Sequence, residues 1–463
     1  MKTIKMKYKY LLFYPVLLLF SCGREFLDIR RDSNQVVPST IHDYQSILDN
    51  NSVMNITSFG LVSLGADEHS ADDATLAALT GNNRWQQNGY TWAQDVYEGQ
   101  EVSDWNMAYE RILYANLALD VEKITPLTNK EKIAKDLVRG QALFHRAWNF
   151  YQLAQAFCKP YEIETANTDM GIPLRIDYDV SIYTDRATVK RVYDQILTDL
   201  YTAELLLPIN PIHKFQPSKV AVQALLARVL LHIGNYNQAL QYASSALRLS
   251  DGLLDFDGLD TGLNYSFENY PYGSDNPEVI FHCHNNSVTL LVNSRLNVAP
   301  DLYELYDNHD LRRPLYFSRN DGGRISFKGS YRGSGTYFTG LAVDELHLIQ
   351  AECFAYLNEL ESSASALNEL LMHRYMRDHF VPVVFEDQAT AMTTIMQERR
   401  KELYLRGIRW DDLRRWNIKE QAATTLVRYV SGQRYELPPN DLRLVWPFPD
   451  NEVKIGGLVQ NPR

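Results

Sequence analysis

The sequence predicts a mainly α-helical protein, a scaffold of helix pairs that carries long irregular loop insertions and a few short strands. Three observations predict it. Apolar residues recur at helical spacing over long windows, as in Trp105, Ala108, Ile112, Ala115, Leu119 and Val121. One pair of helical windows is joined by the tight turn Ile233-Gly234-Asn235. Over about 61–100 and 251–340 the helical period is lost, and the second stretch becomes rich in Gly, Asn, Asp, Ser and Tyr.

The chain starts with Lys2, Lys5, Lys7 and Lys9, followed by an apolar run from Tyr10 to Phe20 and then Ser21-Cys22-Gly23. A basic head, a short apolar core and a small residue before the cut have the anatomy of an export signal. The run is too short to span a membrane, which takes about 20 apolar residues. With Leu19 at −3 and Ser21 at −1, Cys22 resembles the acceptor of a bacterial lipobox. Residues 1–21 are then removed, and a lipid on Cys22 anchors the chain without crossing the bilayer. Residues 22–40 are polar and aperiodic, a tether, and 41–463 are expected to form a single domain.

Helices are predicted over about 102–124, 129–157 and 188–207; the second ends at Cys158-Lys159-Pro160 and the third before Pro208. In the second, Gly140, Ala142, Ala147 and Ala154 would let a neighbouring helix approach closely. The pair 217–232 and 236–249 follows, and Gly234, Tyr236, Ala239, Ala243 and Ala246 resemble the second half of a tetratricopeptide repeat. A similar pair is expected at 342–358 and 362–378, and a last helix at 390–405, without a strict 34-residue period. Strand candidates are Val279–His284 and Arg324–Lys328. The tail L-V-W-P-F-P-D-N-E-V reads as extended.

Composition narrows the function. The chain has 463 residues, 45% apolar and 22% charged, with a net charge of −11, which argues against a nucleic-acid partner. It holds 29 Tyr, whose flat apolar face and polar tip suit wet, sugar-like ligands. Of four cysteines, Cys158, Cys283 and Cys353 remain once Cys22 is lipidated, and they read as buried small hydrophobes.

Several motifs, in order and spread from end to end, resemble the SusD/RagB family of surface glycan-binding lipoproteins. Cys22 is followed by Phe26-Leu27-Asp28. Gly140-Gln141-Ala142-Leu143-Phe144-His145-Arg146-Ala147 resembles the family's G-E-A-x-F-L-R-A helix, and Gly171-Ile172-Pro173-Leu174 the segment after it. E-L-H-L-I-Q-A-E at 345–352 resembles E-x-Y-L-x-x-A-E. The strongest match is Glu398-Arg399-Arg400-Lys401-Glu402-Leu403 with Gly407, Arg409, Asp412, Leu413, Arg415 and Trp416, which resembles the family's E-R-R-x-E-L-x-x-E-G-x-R-x-x-D-L-x-R-W. Trp446-Pro447-Phe448-Pro449 and Gln460-Asn461-Pro462 resemble its closing motifs. Arg406 stands where the family usually has Glu; as an exposed pair it would count for little.

The resemblance implies an outer-membrane lid, not an enzyme. It implies a tetratricopeptide-like scaffold packed on a SusC-like TonB-dependent transporter, with irregular insertions capturing an oligosaccharide for import. A peptide-binding lid is the nearest alternative; a helical-repeat adaptor for proteins is a more distant one. The E-R-R-K-E-L segment reads as a helix surface with local ion pairing, since the two carboxylates of a glycosidase must face each other across a cleft.

Candidate ligand contacts come from the two irregular stretches. The first supplies Arg84, Trp85, Asn88 and Tyr90, mixing flat rings with planar donors, and the resemblance favours Trp85 in particular. The second supplies Tyr270, Tyr272, Tyr331 and Arg332, with Tyr265, Asn285, Asn286 and Tyr337 nearby. Trp92 leans to packing and Trp105 to core. No cofactor is expected. His282-Cys283-His284 lacks a third metal ligand. The aspartates Asp251, Asp255, Asp257 and Asp260 lack an EF-hand pattern, although a structural Ca²⁺ would suit them. Asp67, Glu68, His69, Asp72 and Asp73 read as a cation site or a solvated loop.

Overall fold

The computed structural model describes residues 38–270, 275–419 and 423–463. The export signal, Cys22 and most of the tether lie outside them, as does Tyr272.

The predicted helices form close to their expected bounds: α1 (Ser103–Leu119), α2 (Asn129–Phe157), α3 (Val189–Leu206), α4 (Lys219–His232), α5 (Tyr236–Leu247), α6 (Val343–Tyr356), α7 (Leu360–Leu371) and α8 (Gln388–Glu402). Side-chain oxygens cap several starts. Thr128 accepts from the Glu131 amide, Thr188 from Arg191, Ser218 from Ala221 and Asp387 from Thr390. The α4–α5 turn needs Gly234 at φ +78°, and Asn235 then caps α5. A further helix, α9 (Arg409–Asn417), was not expected, because its buried Trp410, Leu413 and Trp416 are interleaved with charged residues.

Consecutive helices from α1 to α6 pack on one another, and α6 also meets α7 and α8. Gly140 of α2 sits against Leu206 and Leu207 at the end of α3, where a Cβ would stand 2.9–3.0 Å from them. Small residues thus set that spacing, as the sequence suggested. The strands are short, and the pairings among the described residues are two-stranded. Val279–Phe281 and Ile325–Phe327 match the strand candidates; His284–Asn285 pairs separately with Ile56–Thr57. The tail is extended over 446–449, as expected, and then turns into a short helix, Asp450–Lys454; ahead of it Leu426–Val430 and Gln433–Leu437 form an antiparallel hairpin that the sequence did not predict.

The E-R-R-K-E-L segment is corrected from helix surface to buried ion network. Glu398, Arg399, Lys401 and Glu402 are all at most 8% exposed. Arg312 donates to both Asp310 oxygens at 2.9 and 2.7 Å, to Glu402 at 3.0 Å and to Glu398 at 2.7 Å. Arg374 joins Glu402 at 2.8 Å to Glu278 at 2.9 Å. Lys401 bridges Glu398 and Asp310, each at 2.8 Å. Arg406, expected at an exposed pair, is 3% exposed and donates to Asp344 at 2.9 Å. A parallel cluster joins α6, α8 and α9: Glu352 with Arg415, and Asp412 with both Arg399 and Arg415.

This network fastens the second irregular stretch, through Glu278, Asp310 and Arg312, to the helices. In its first part, Glu278, Asp310, Asp344, Glu398 and Glu402 face Arg312, Arg374, Lys401 and Arg406. One carboxylate is in excess. Burial, opposed by Arg374 and reinforced by Asp344 and Glu402, pushes Glu278 up to about 7. Cys158, Cys283 and Cys353 are free and buried, as expected.

Candidate ligand-binding site

The two irregular stretches meet. In the first, a short helix, Arg84–Tyr90, follows a 3-10 turn at Gly81–Asn83. Its Gln86 accepts from the Leu290 amide at 2.8 Å, and Asn83 accepts from the Thr289 hydroxyl at 3.0 Å. Farther along, His69–Ser70 pairs with Asn297–Val298. Trp85 lies on this seam. Its indole is half-buried between the two main apolar clusters, and its tip converges with Val288 and Asp104 on Gly60, where a Cβ would be 3.1–3.2 Å from all three.

Beside the seam opens a cleft of ≈ 360 Å³, lined by Ser103, Met107, His284, Ser287, Val288 and Thr336 among others. Its floor is rigid. Asn286 accepts from the Phe59 amide at 3.2 Å and donates to Asp104 at 2.9 Å, while Asp104 accepts from Leu61 at 2.6 Å. Asn285 accepts from the Tyr337 amide at 2.7 Å. Apolar walls with a few fixed polar groups are the usual makeup of a small-molecule site.

The sequence candidates separate by burial. Arg84 is exposed, 3.6 Å from Glu98. Trp85 and Tyr270 are half-buried, and Arg332 is half-buried with its charge near His282 and His284. Asn88, Tyr90 and Tyr331 are buried and spend their polar atoms internally. Asn88 donates to Val96 at 3.1 Å and Glu98 at 3.0 Å. The Tyr90 hydroxyl accepts from Ala71 at 3.2 Å, and Arg428 lies 3.9 Å over its ring. Tyr331, expected in a flexible loop, is wholly buried; its hydroxyl donates to Glu278 at 2.6 Å, inside the ion network. Trp92 and Trp105 are core, with Trp105 packed on Tyr109, Phe157 and Phe448.

Sequence reasoning did not find the cleft-lining Ser103, Met107, Ser287 and Thr336. The polar run Asn285-Asn286-Ser287 after two histidines was the available signal. His282 and His284 do share a face, with rings 6.4 Å apart, and burial holds them at about 3 and about 4, so both are neutral. Among the described residues, the one trio of metal-ligating atoms that converges is Glu278, Asp344 and Glu402, already held by Arg374 and Arg406. Asp255 and Asp260 cap local turns at Asp257 and Gly262.

A family model described as "Starch-binding associating with outer membrane" matches residues 25–231, and the SusD family model matches residues 341–463. The chain belongs to the SusD/RagB family. Residues 232–340, between the two matches, include the second irregular stretch. SusD-like protein P2 of Formosa agariphila is 29% identical over 164 residues, which span 35% of this chain and 30% of that relative's length. A putative sugar-binding protein from Bacteroides vulgatus superposes with a TM-score of 0.75 at 20% identity, over 92% of this chain and 99% of that one. A laminarin-binding SusD-like protein superposes with a TM-score of 0.67 at 16% identity, over 91% and 98%. At these identities the likeness concerns the fold, and it confirms the helical scaffold of this SusD/RagB member. No helix among its described residues is long and apolar enough to cross a membrane.

Proposed function

We propose that this SusD/RagB member captures an oligosaccharide at the seam between its two irregular stretches. It would be held at the outer membrane by a lipid on Cys22 and deliver the glycan to a TonB-dependent transporter. The observation that carries the reading is the seam itself. A half-buried indole, Trp85, stands beside a cleft whose polar groups are locked by bonds to the scaffold. The ring offers a face for sugar C–H groups, and Ser103, Ser287, Thr336 and His284 offer partners for hydroxyls. Preorganised partners reduce the ordering cost of binding.

The family description and the sugar-binding and laminarin-binding names of the neighbours support a glycan as the ligand class. The test is calorimetric titration of the purified protein with a panel that includes starch and laminarin fragments and, separately, peptides. Saturable glycan binding that is weakened in Trp85→Ala supports the reading; binding to peptides alone overturns it.

A further inference from the structure

A smaller cavity, of ≈ 30 Å³, is walled by the same segments as the candidate cleft. Ile56 and Tyr337 line the cleft, while Thr57 and Thr339 line the cavity, with their hydroxyls 2.7 Å apart. Its other side is the scaffold: Trp148, Gln152 and Gln155 of α2, Asp411 of α9, and Arg406 just ahead of α9.

The side chains here are fixed by some of their polar atoms and left with others unspent. Gln152 accepts from the Ser58 amide at 2.8 Å, and Gln155 donates to the Tyr193 hydroxyl at 2.9 Å. Arg406 donates to Asp344 at 2.9 Å, and Asp411 accepts from the Tyr151 hydroxyl at 3.2 Å. Gln152 Nε2, Gln155 Oε1, Arg406 Nε and Nη2, and Asp411 Oδ1 are buried with no partner among the described residues, as is Trp148 Nε1. Trp148, Gln155, Arg406 and Asp411 are at most 4% exposed, so bulk solvent does not serve them. Buried polar atoms in native proteins are nearly always hydrogen-bonded, and leaving one unpaired is costly. Such atoms gathered around one cavity point to a bound ligand.

Their chemistry selects it. Trp148, Gln152 and Arg406 offer N–H donors, and Gln155 offers an acceptor. Burial, opposed by Arg414 and reinforced by Asp412, raises Asp411 to about 7, so its unspent oxygen accepts when ionised and donates when protonated. A halide only accepts; it would leave the Gln155 oxygen unpaired and face the Asp411 carboxyl. A cation would face the Arg406 guanidinium. Water donates and accepts, and meets both kinds of atom. A buried water needs about 10–15 Å³ of such space, which the cavity exceeds. Arg406 stands where the family usually has Glu, which would bring acceptors in place of these donors.

We propose that the cavity is an internal hydration site. About two water molecules, bonded to Arg406, Gln155 and Asp411, tie the first irregular stretch to α2 and α9 and brace the wall of the cleft. The site does not depend on which ligand the cleft takes.

The experiment has two arms. The first is a crystal structure of the purified protein at a resolution that shows ordered water, with a second crystal soaked in bromide. We expect density within hydrogen-bond distance of Arg406, Gln155 and Asp411, and no anomalous bromide signal there. The second arm counts long-lived internal waters in solution by magnetic relaxation dispersion, in the unaltered protein and in Val62→Leu. Val62 lines the cavity, and the added methylene should expel water and lower the count. Where Val62→Leu does not fold, the crystal arm decides alone. A cavity without density, a bromide peak inside it, or an equal water count in the two folded proteins would overturn the proposal.

Discussion

Replacing Arg406 with Met removes one charge from the interior and keeps most of the side-chain volume. Arg406 is 3% exposed, and its guanidinium is 2.9 Å from Asp344 and 4.5 Å above the Phe338 ring. Removing one partner of a buried ion pair costs about 3–5 kcal/mol, because the other charge stays buried. The Tyr331 hydroxyl, 3.1 Å from Asp344, offsets only part of that. The first part of the network would then hold five carboxylates against three cations, with Asp344 left without its guanidinium. We therefore expect Arg406→Met to lower stability by about 3 kcal/mol near neutral pH. The assay is urea unfolding, read as a lower midpoint with the denaturant slope retained. In a double-mutant cycle, adding Asp344→Asn should recover more than half of the loss. A loss below about 1 kcal/mol, with the two substitutions additive, would refute the argument, since that is the behaviour of an exposed pair.

Three further outcomes follow from the same structure. Gly340→Ala should cost about 3 kcal/mol or prevent folding, because its Cβ would stand 1.9 Å from the Phe281 carbonyl oxygen, a backbone atom in a paired strand. Gly258→Ala, with nothing within 4 Å, should stay within about 0.5 kcal/mol by the same unfolding assay. The thermal midpoint should peak near pH 6.5. Burial holds His145, His232 and His282 at about 3 and His284 and His347 at about 4, so their contribution is full above the unfolded value of 6.5 and lost as pH falls through the folded values. Burial also raises Glu278 and Asp411 to about 7 and Glu68 to about 8, so their contribution is lost as pH rises through those values. The decline should steepen below pH 4.5, where these acids stop compensating; a midpoint that is highest at pH 4–5 would contradict this balance.

The scaffold was legible because its helices write their packing into local spacing. The apolar stripe of 102–124 and the Gly234-Asn235 turn need no knowledge of distant residues. The helix Arg409–Asn417 was missed because its buried face is made of Trp410, Asp412, Arg415 and Trp416, whose charges find partners on α6 and α8. Arg406 and Glu398 looked exposed for the same reason. A charged residue reads as surface until its counter-charge, here Asp344 or Arg312, is brought from more than sixty residues away. In the candidate site, the two segments were legible as departures from helical period. Individual contacts were not, since a tyrosine in a glycine-rich loop is as sound a choice for a buried hydrogen bond, as at Tyr331, as for a ligand platform. Trp85 was favoured already by the resemblance, and the docking of Asn83 and Gln86 on Thr289 and Leu290 puts it on the seam.

The most direct test of glycan capture at the seam is titration of the purified protein and of Trp85→Ala with the oligosaccharide panel. We expect saturable binding of at least one glycan, weakened about tenfold or more in Trp85→Ala, a change of about 1.4 kcal/mol, with both proteins folded. Undiminished affinity in folded Trp85→Ala, or binding to peptides and to no glycan, would contradict the account.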